Sequence, residues 1–351
     1  MAGLPNLSHS HDHEAERRDD PKNRKKAAIY SLVVSTILFT MKFAAYRITD
    51  SKAIMSDAYE SIVNIFAASL ALFVVIWASQ PADKDHPYGH GKAEFFSAAF
   101  EGGLIMFAGF LIVFESAQSL LEGALVHRLD EGLVLVFIAA LVNALLGRYL
   151  LKTGKAEHSQ ALIASGHHVL SDVYTSFGIL IGLGLVYFTG VQALDPLLAI
   201  LVGLHLSVTG FKLVKKSAGG LLDEEDESVI HTLCRLFHKN AMPGIIRIHY
   251  TRAIRAGARH HIDAHVVVPE FWDVEKAHHE TDDFEKKVMN EFGASGEIMF
   301  HIDPCRRAYC KVCDYEPCPV RKHPFEKRIP FSPEELRSKE EPKEFRVQNR
   351  N

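Results

Sequence analysis

His168 and Asp172 stand four residues apart in the stretch Ala164-Ser-Gly-His-His-Val-Leu-Ser-Asp172. That spacing puts an imidazole and a carboxylate on one face of a helix. The stretch continues into the apolar run Gly178-Ile-Leu-Ile-Gly-Leu-Gly-Leu-Val-Tyr-Phe. Ionisable groups inside a bilayer are costly and therefore point to function, whereas a pair lying at the membrane surface is the plainer reading. Glu60 and Asn64 repeat the spacing in Asp57-Ala-Tyr-Glu60-Ser-Ile-Val-Asn64. Two helices with two donors each can close a four-ligand shell around a divalent cation. One imidazole with carboxylates suits zinc, and its neighbours in the first transition row stay open. Asp57, one turn before Glu60, is either a further ligand or a capping or outer-sphere group.

Three more clusters carry metal-binding chemistry. Asp83, His86 and His90 form Asp-x2-His-x3-His in a loop that Gly89 can turn; the alternative is a hydrophilic loop that happens to bear histidine. Further on, His261, Asp263 and His265 alternate along one expected strand and so face one side of its sheet. His249 lies on the neighbouring strand, His301 and Asp303 end the last one, and His278 and His279 begin the intervening helix. Convergence on one face would make a metal cluster; scattered surface histidines are the alternative. Finally, Cys305-x4-Cys310-x2-Cys313-x4-Cys318 supplies enough thiolates for a closed tetrahedral zinc knuckle. An iron–sulfur cluster fits less well because the fourth cysteine comes too early, and unliganded reduced thiols remain the third reading. His9, His11 and His13 belong to a polar arm that holds metal loosely or is merely solvated.

The elements that must position these residues follow from hydropathy. The chain has 351 residues, 48% hydrophobic and 23% charged, and its mean hydropathy of +0.02 averages two opposite populations. A formal net charge of -4 offers no bulk basic character for nucleic acid. Polar ends flank an apolar block over residues 27–218, in which six spans are expected at about 27–48, 53–79, 93–122, 129–151, 160–189 and 194–214. Lys and Arg gather before the first span and after the second, fourth and sixth, which puts both termini in the cytoplasm. The start has no basic stretch followed by an apolar run, so no cleavable signal peptide is expected. From residue 222 the pattern is helix, strand, strand, helix, strand, an α+β layer of helices on a sheet. The domain plan is a polar arm at 1–26, a six-helix transmembrane domain at 27–218, a cytoplasmic domain at 219–304, a cysteine cluster at 305–320 and a charged, proline-punctuated, disordered tail at 321–351.

Taken together, these residues resemble the cation diffusion facilitator family of divalent-metal/proton antiporters. The likeness rests on Ser56-Asp-Ala-Tyr-Glu-Ser-Ile-Val-Asn64, Pro81-Ala-Asp-Lys-Asp-His-Pro-Tyr-Gly-His-Gly-Lys-Ala-Glu94, His168-Val-Leu-Ser-Asp172 and His301-Ile-Asp-Pro-Cys305. It implies a Y-shaped homodimer with six transmembrane helices per protomer and a metallochaperone-like cytoplasmic domain. The implied transport site is Glu60, Asn64, His168 and Asp172, with an interfacial loop site at Asp83, His86 and His90. The implied regulatory site is His249, His265, His278, His301 and Asp303, and the implied dimer interlock is Lys92 with Asp223. Zinc-type members usually carry Asp or His followed by Asp where this chain has Glu60 and Asn64. The site therefore loses one charge, and Glu reaches further than Asp. His168 resembles the zinc-type members. The cysteine cluster and the tail lie beyond the common family core.

The implied function is efflux of a divalent transition metal, zinc first, in exchange for protons, with zinc or a similar ion as both substrate and regulatory ion. The implied setting is the bilayer of the cell (inner) membrane. The alternatives are selectivity for Fe2+, Co2+, Ni2+ or Cd2+, or a metal-binding sensor or sequestration protein without turnover. No enzyme is expected, because the ligand sets are complete rather than open to substrate and no nucleophile constellation is present.

Overall fold

The computed structural model describes residues 21–49, 52–122, 133–191, 193–293 and 295–340. The chain divides into two compact units near Glu224.

The first unit is helical: α1 (Pro21–Thr49), α2 (Lys52–Ala78), α3 (Ala93–Glu122), α4 (Leu133–Ala156), α5 (Gln160–Thr189) and α6 (Leu194–Leu221). Over their described residues α1, α2, α3 and α6 are long and apolar enough to cross a membrane. Helices α4 and α5 run 24 and 30 residues. The first half of α5 carries Gln160, Ser165, His167, His168, Ser171 and Asp172, so its apolarity is reduced where the candidate ligands sit.

Helices α1 and α2, α4 and α5, and α3 and α6 pack as pairs, and α3 also touches α2 and α5. The α3–α6 pair is held by small residues. A Cβ on Gly109 would lie 2.6 Å from the Gly203 carbonyl oxygen, and one on Gly210 would lie 2.5 Å from that of Gly102. Such bare backbone is what lets helices meet closely in lipid, where no hydrophobic force drives them together. Phe66, Phe73, Phe96, Phe107, Phe110 and Phe114 point outward and exposed, as a lipid-facing surface requires. At one end, the buried Arg24 of α1 pairs with the buried Glu94 of α3 at 3.3 Å. Glu94 also accepts the Ala161 backbone N–H at 3.4 Å. Its carboxylate thus sits where the α5 N-terminus favours negative charge and ties three helices together.

The second unit has the expected order: α7 (Glu227–Lys239), β1 (Arg247–Ala256), β2 (Arg259–Val268), α8 (Val274–Phe292) and β3 (Gly296–Pro304). The Asp226 side chain caps α7 by accepting from the Ser228 N–H, and Asp273 caps α8 by accepting from that of Lys276. The sheet order is β1-β2-β3, with β3 parallel to β2 and His265 opposite His301. Ile262, Ala264 and Val266 point into a core with Ile230, Leu233, Phe237, Phe284 and Val288. The alternate residues of β2, His261, Asp263 and His265, therefore share the outer face.

The disordered tail expected over 321–351 is not what the structure has up to Glu340. Leu336, in the short helix α9 (Pro333–Arg337), is fully buried in the domain core. Phe331 packs edge-on against Phe237. Arg247 of β1, 1% exposed, pairs with Glu335 and donates to the Glu340 carbonyl at 2.9 Å. Composition misled because the charges of this segment are partners to a buried guanidinium rather than a solvated fringe. Residues 341–351 and the arm at 1–20, with His9, His11 and His13, lie outside the described residues.

Candidate metal sites

In the helical unit, α2 and α5 bring Asn64 against both His168 and Asp172. The Asn64 amide nitrogen donates to Asp172 Oδ2 at 2.6 Å, and its Oδ1 meets His168 Nε2 at 3.0 Å. Since Oδ1 can only accept, this contact assigns the ring proton to Nε2. His168 is 8% exposed, and the four-residue spacing on α5 keeps it on the Asp172 side of the helix. Asn64 thus lies between imidazole and carboxylate, hydrogen-bonded to both. The backbone of Asp57 and Glu60 belongs to α2, while their side chains lie outside the described residues.

Asp83, His86 and His90 gather as one group with ligand atoms within 4.8 Å of one another. Asp83 Oδ1 lies 3.1 Å from His86 Nδ1, and Asp83 Oδ2 lies 3.2 Å from His90 Nε2. Gly89, at φ +79, turns the chain between the two histidines, a conformation that costs glycine nothing. The His86 N–H donates to Asp83 Oδ1 at 2.7 Å. Chiefly through that bond, the Asp83 carboxyl stays below its ordinary range. It is therefore ionised and ready for a cation at neutral pH. Lys92 and Asp223, the expected interlock, lie 2.7 Å apart within one chain.

In the second unit, His249, His265 and Asp303 form another such group. His265 Nδ1 lies 3.0 Å from Asp303 Oδ2, His249 Nε2 lies 3.8 Å from it, and His301 Nε2 lies 3.6 Å from Asp303 Oδ1. Burial, reinforced by Arg247 and opposed by Asp303, lowers the His249 imidazole to about 4. It is neutral at physiological pH, the state a metal ligand needs. The outer face of β2 does not converge as a whole. His261 turns to Glu297 at 2.9 Å, and Asp263 to Arg252 at 3.4 Å. His278 is exposed on the first turns of α8 and stands outside the gathered group.

The cysteines behave differently from these two groups. Among the described residues, Cys305, Cys310, Cys313 and Cys318 are free thiols and are not drawn into a three-ligand set. Burial raises Cys305 to about 11. The Arg321 guanidinium donates to the carbonyls of Cys310, Cys313 and Tyr315 at 2.8–3.1 Å, so this segment is held by an arginine.

Two features escaped the sequence reading. Arg247 gave no signal, since a strand arginine is ordinarily solvated. Glu101 did give one. It lies in the apolar run of α3, is 0% exposed, and accepts the Ser165 hydroxyl of α5 at 3.0 Å. An acid in that position carries the same warning as His168.

Comparison with known proteins agrees with the fold of a helical membrane domain followed by a cytoplasmic domain. The profile of the cation efflux transmembrane domain matches residues 28–222, and that of the cation efflux protein cytoplasmic domain matches 223–305. An uncharacterised transporter of Synechocystis sp. is 31% identical over 278 residues, covering 79% of this chain and 89% of that protein. The cation-efflux pump FieF of Pectobacterium atrosepticum is 29% identical over 283 residues, covering 79% and 92%. That of Citrobacter koseri is 27% identical over 285 residues, covering 80% and 92%.

Proposed function

Because this chain belongs to the cation efflux, or cation diffusion facilitator, family, we propose that it exports a divalent transition metal, zinc first, from the cytoplasm in exchange for protons. The observation that carries the reading is Asn64 bridging His168 and Asp172 between α2 and α5. Metal takes the place that the Asn64 hydrogen bonds now fill. Asp172 binds it as a carboxylate and His168 through a ring nitrogen freed of its proton. Asn64 turns its carbonyl oxygen to the ion, and Glu60, one turn away on α2, completes the shell. Each ligand that must lose a proton couples metal binding to proton release. Alternating exposure of one such site then exchanges the two. His168 favours zinc and its soft neighbours over harder ions, which prefer oxygen alone.

The working unit in this reading is a homodimer in the cell (inner) membrane with both termini cytoplasmic. The loop group at Asp83, His86 and His90 receives metal at the cytoplasmic side. The His249, His265, His301 and Asp303 group senses it and favours the competent dimer. The test is zinc and proton flux in proteoliposomes carrying the full chain. Asp172→Ala abolishes both in this scheme. Undiminished exchange in that variant would remove Asp172 from the site, and wild-type binding without flux would make the protein a sensor.

A further inference from the structure

The cytoplasmic-domain profile ends at residue 305, yet the described chain continues to Glu340 and packs on the same unit. Residues 331–340 form a strap along β1, an edge strand of the sheet. Leu336 enters the core and Phe331 packs against it. The Tyr250 N–H donates to the Ser338 carbonyl at 2.9 Å, and Arg337 pairs with Glu225 at 2.6 Å. The end of the strap thereby reaches the metal group. His249 and Asp303 line a cavity of about 490 Å³ together with Arg306, Tyr309, Lys339 and Glu340.

The strap also sets the charge that this group meets. Ile248 points into the core, so Arg247 and His249, on either side of it, share the outer face of β1. Two residues of strand separate them by about 6.6 Å. After burial, the Arg247 charge is the next cause that lowers the His249 imidazole. Arg306 and Lys339 are exposed and screened by salt, whereas Arg247, 1% exposed, is screened much less. Among the described residues its ion-pair partner is Glu335, on the strap. The Tyr309 hydroxyl at 3.4 Å and the Glu340 carbonyl at 2.9 Å also meet it, and both are uncharged. These two residues touch Arg247 and line the cavity with His249 and Asp303. With the strap docked, Glu335 neutralises Arg247 beside the metal group. With the strap undocked, a full positive charge faces an incoming divalent ion.

We propose that Glu335 is a positioning residue for the cytoplasmic metal group, acting through Arg247, and that strap docking and metal occupancy favour each other. Linkage makes the effect of each on the other equal in size. The inference rests on the reading above that His249, His265 and Asp303 bind metal.

The experiment is calorimetry of zinc binding to the full chain in detergent, the share of this group being the binding that His265→Ala removes. Glu335→Gln keeps an oxygen for the Arg247 N–H but no charge. It weakens zinc at the group by about tenfold, within the range of couplings between linked sites. Glu335→Asp keeps the charge and stays closer to wild type. Adding Arg247→Met to Glu335→Gln removes the unpaired cation and restores affinity, which a merely structural role for Glu335 would not allow. Leu336→Ala loosens the strap without altering a charge. It weakens zinc in the same direction, and it tests docking even where Glu335→Gln fails to fold. Zinc slows tryptic cleavage after Arg337 in wild type, and His265→Ala loses that protection. Unchanged zinc affinity in Glu335→Gln or in Leu336→Ala would overturn the proposal and leave the metal reading intact. So would a double variant that binds no better than Glu335→Gln. If His265→Ala removes no zinc binding, the metal reading of the group falls and the proposal falls with it.

Discussion

Replacing Asn64 by Asp tests the proposed transport site at its least expected residue. In the structure the amide nitrogen lies 2.6 Å from Asp172 Oδ2. Asn64→Asp puts a carboxylate oxygen there. Two unit charges at that separation repel by about 6 kcal/mol at an effective dielectric of about 20. The two carboxyls cannot both ionise without metal, so the pair holds one shared proton at neutral pH. A divalent ion that binds both must expel it. Calorimetry on the full chain in detergent, repeated in buffers of different ionisation enthalpy, counts protons released per metal. The variant releases about one more than wild type, and its log Kd changes with pH by about one unit more per pH unit. Equal proton counts would mean that residues 64 and 172 do not share an ion, and the geometry built on Asn64 would fall.

The other predictions concern the scaffold. Leu336→Ala empties a fully enclosed site and should cost the cytoplasmic domain about 2–5 kcal/mol; a denaturant midpoint that does not move would remove α9 from the core. Gly109→Val drives side-chain atoms into the Gly203 carbonyl 2.6 Å from the Cβ position. It should leave little monodisperse protein by gel filtration, and normal yield would contradict the close α3–α6 approach. His249 titrates near 4 in the fold against an ordinary 6.5. Between those values the unfolded chain takes a proton that the folded one refuses, so stability is full above pH 6.5 and declines as pH falls towards 4. His249→Gln should flatten that slope in metal-free denaturant titrations at pH 7 and pH 5, and an unchanged slope would assign it to another group.

Periodicity made both halves of the fold legible. Six apolar runs became α1 to α6, and alternation in His261–His265 placed those residues on the outer face of β2. The four-residue spacing of His168 and Asp172 predicted a shared helix face, and Asn64 was identified as the residue opposite. What spacing could not foresee was which polar neighbours claim each other. His261 and His265 have the same orientation, yet parallel pairing sets Glu297 beside one and His301 beside the other, and only the second joins a metal-like group. The four cysteines have tetrahedral arithmetic, and spacing gave no sign that Arg321 would bond to the carbonyls of Cys310, Cys313 and Tyr315 in the same segment. The tail looked disordered because its apolar residues are few. Leu336, Phe331 and the bonds of Glu335 and Glu340 to the buried Arg247 tie it to a core built by the rest of the domain.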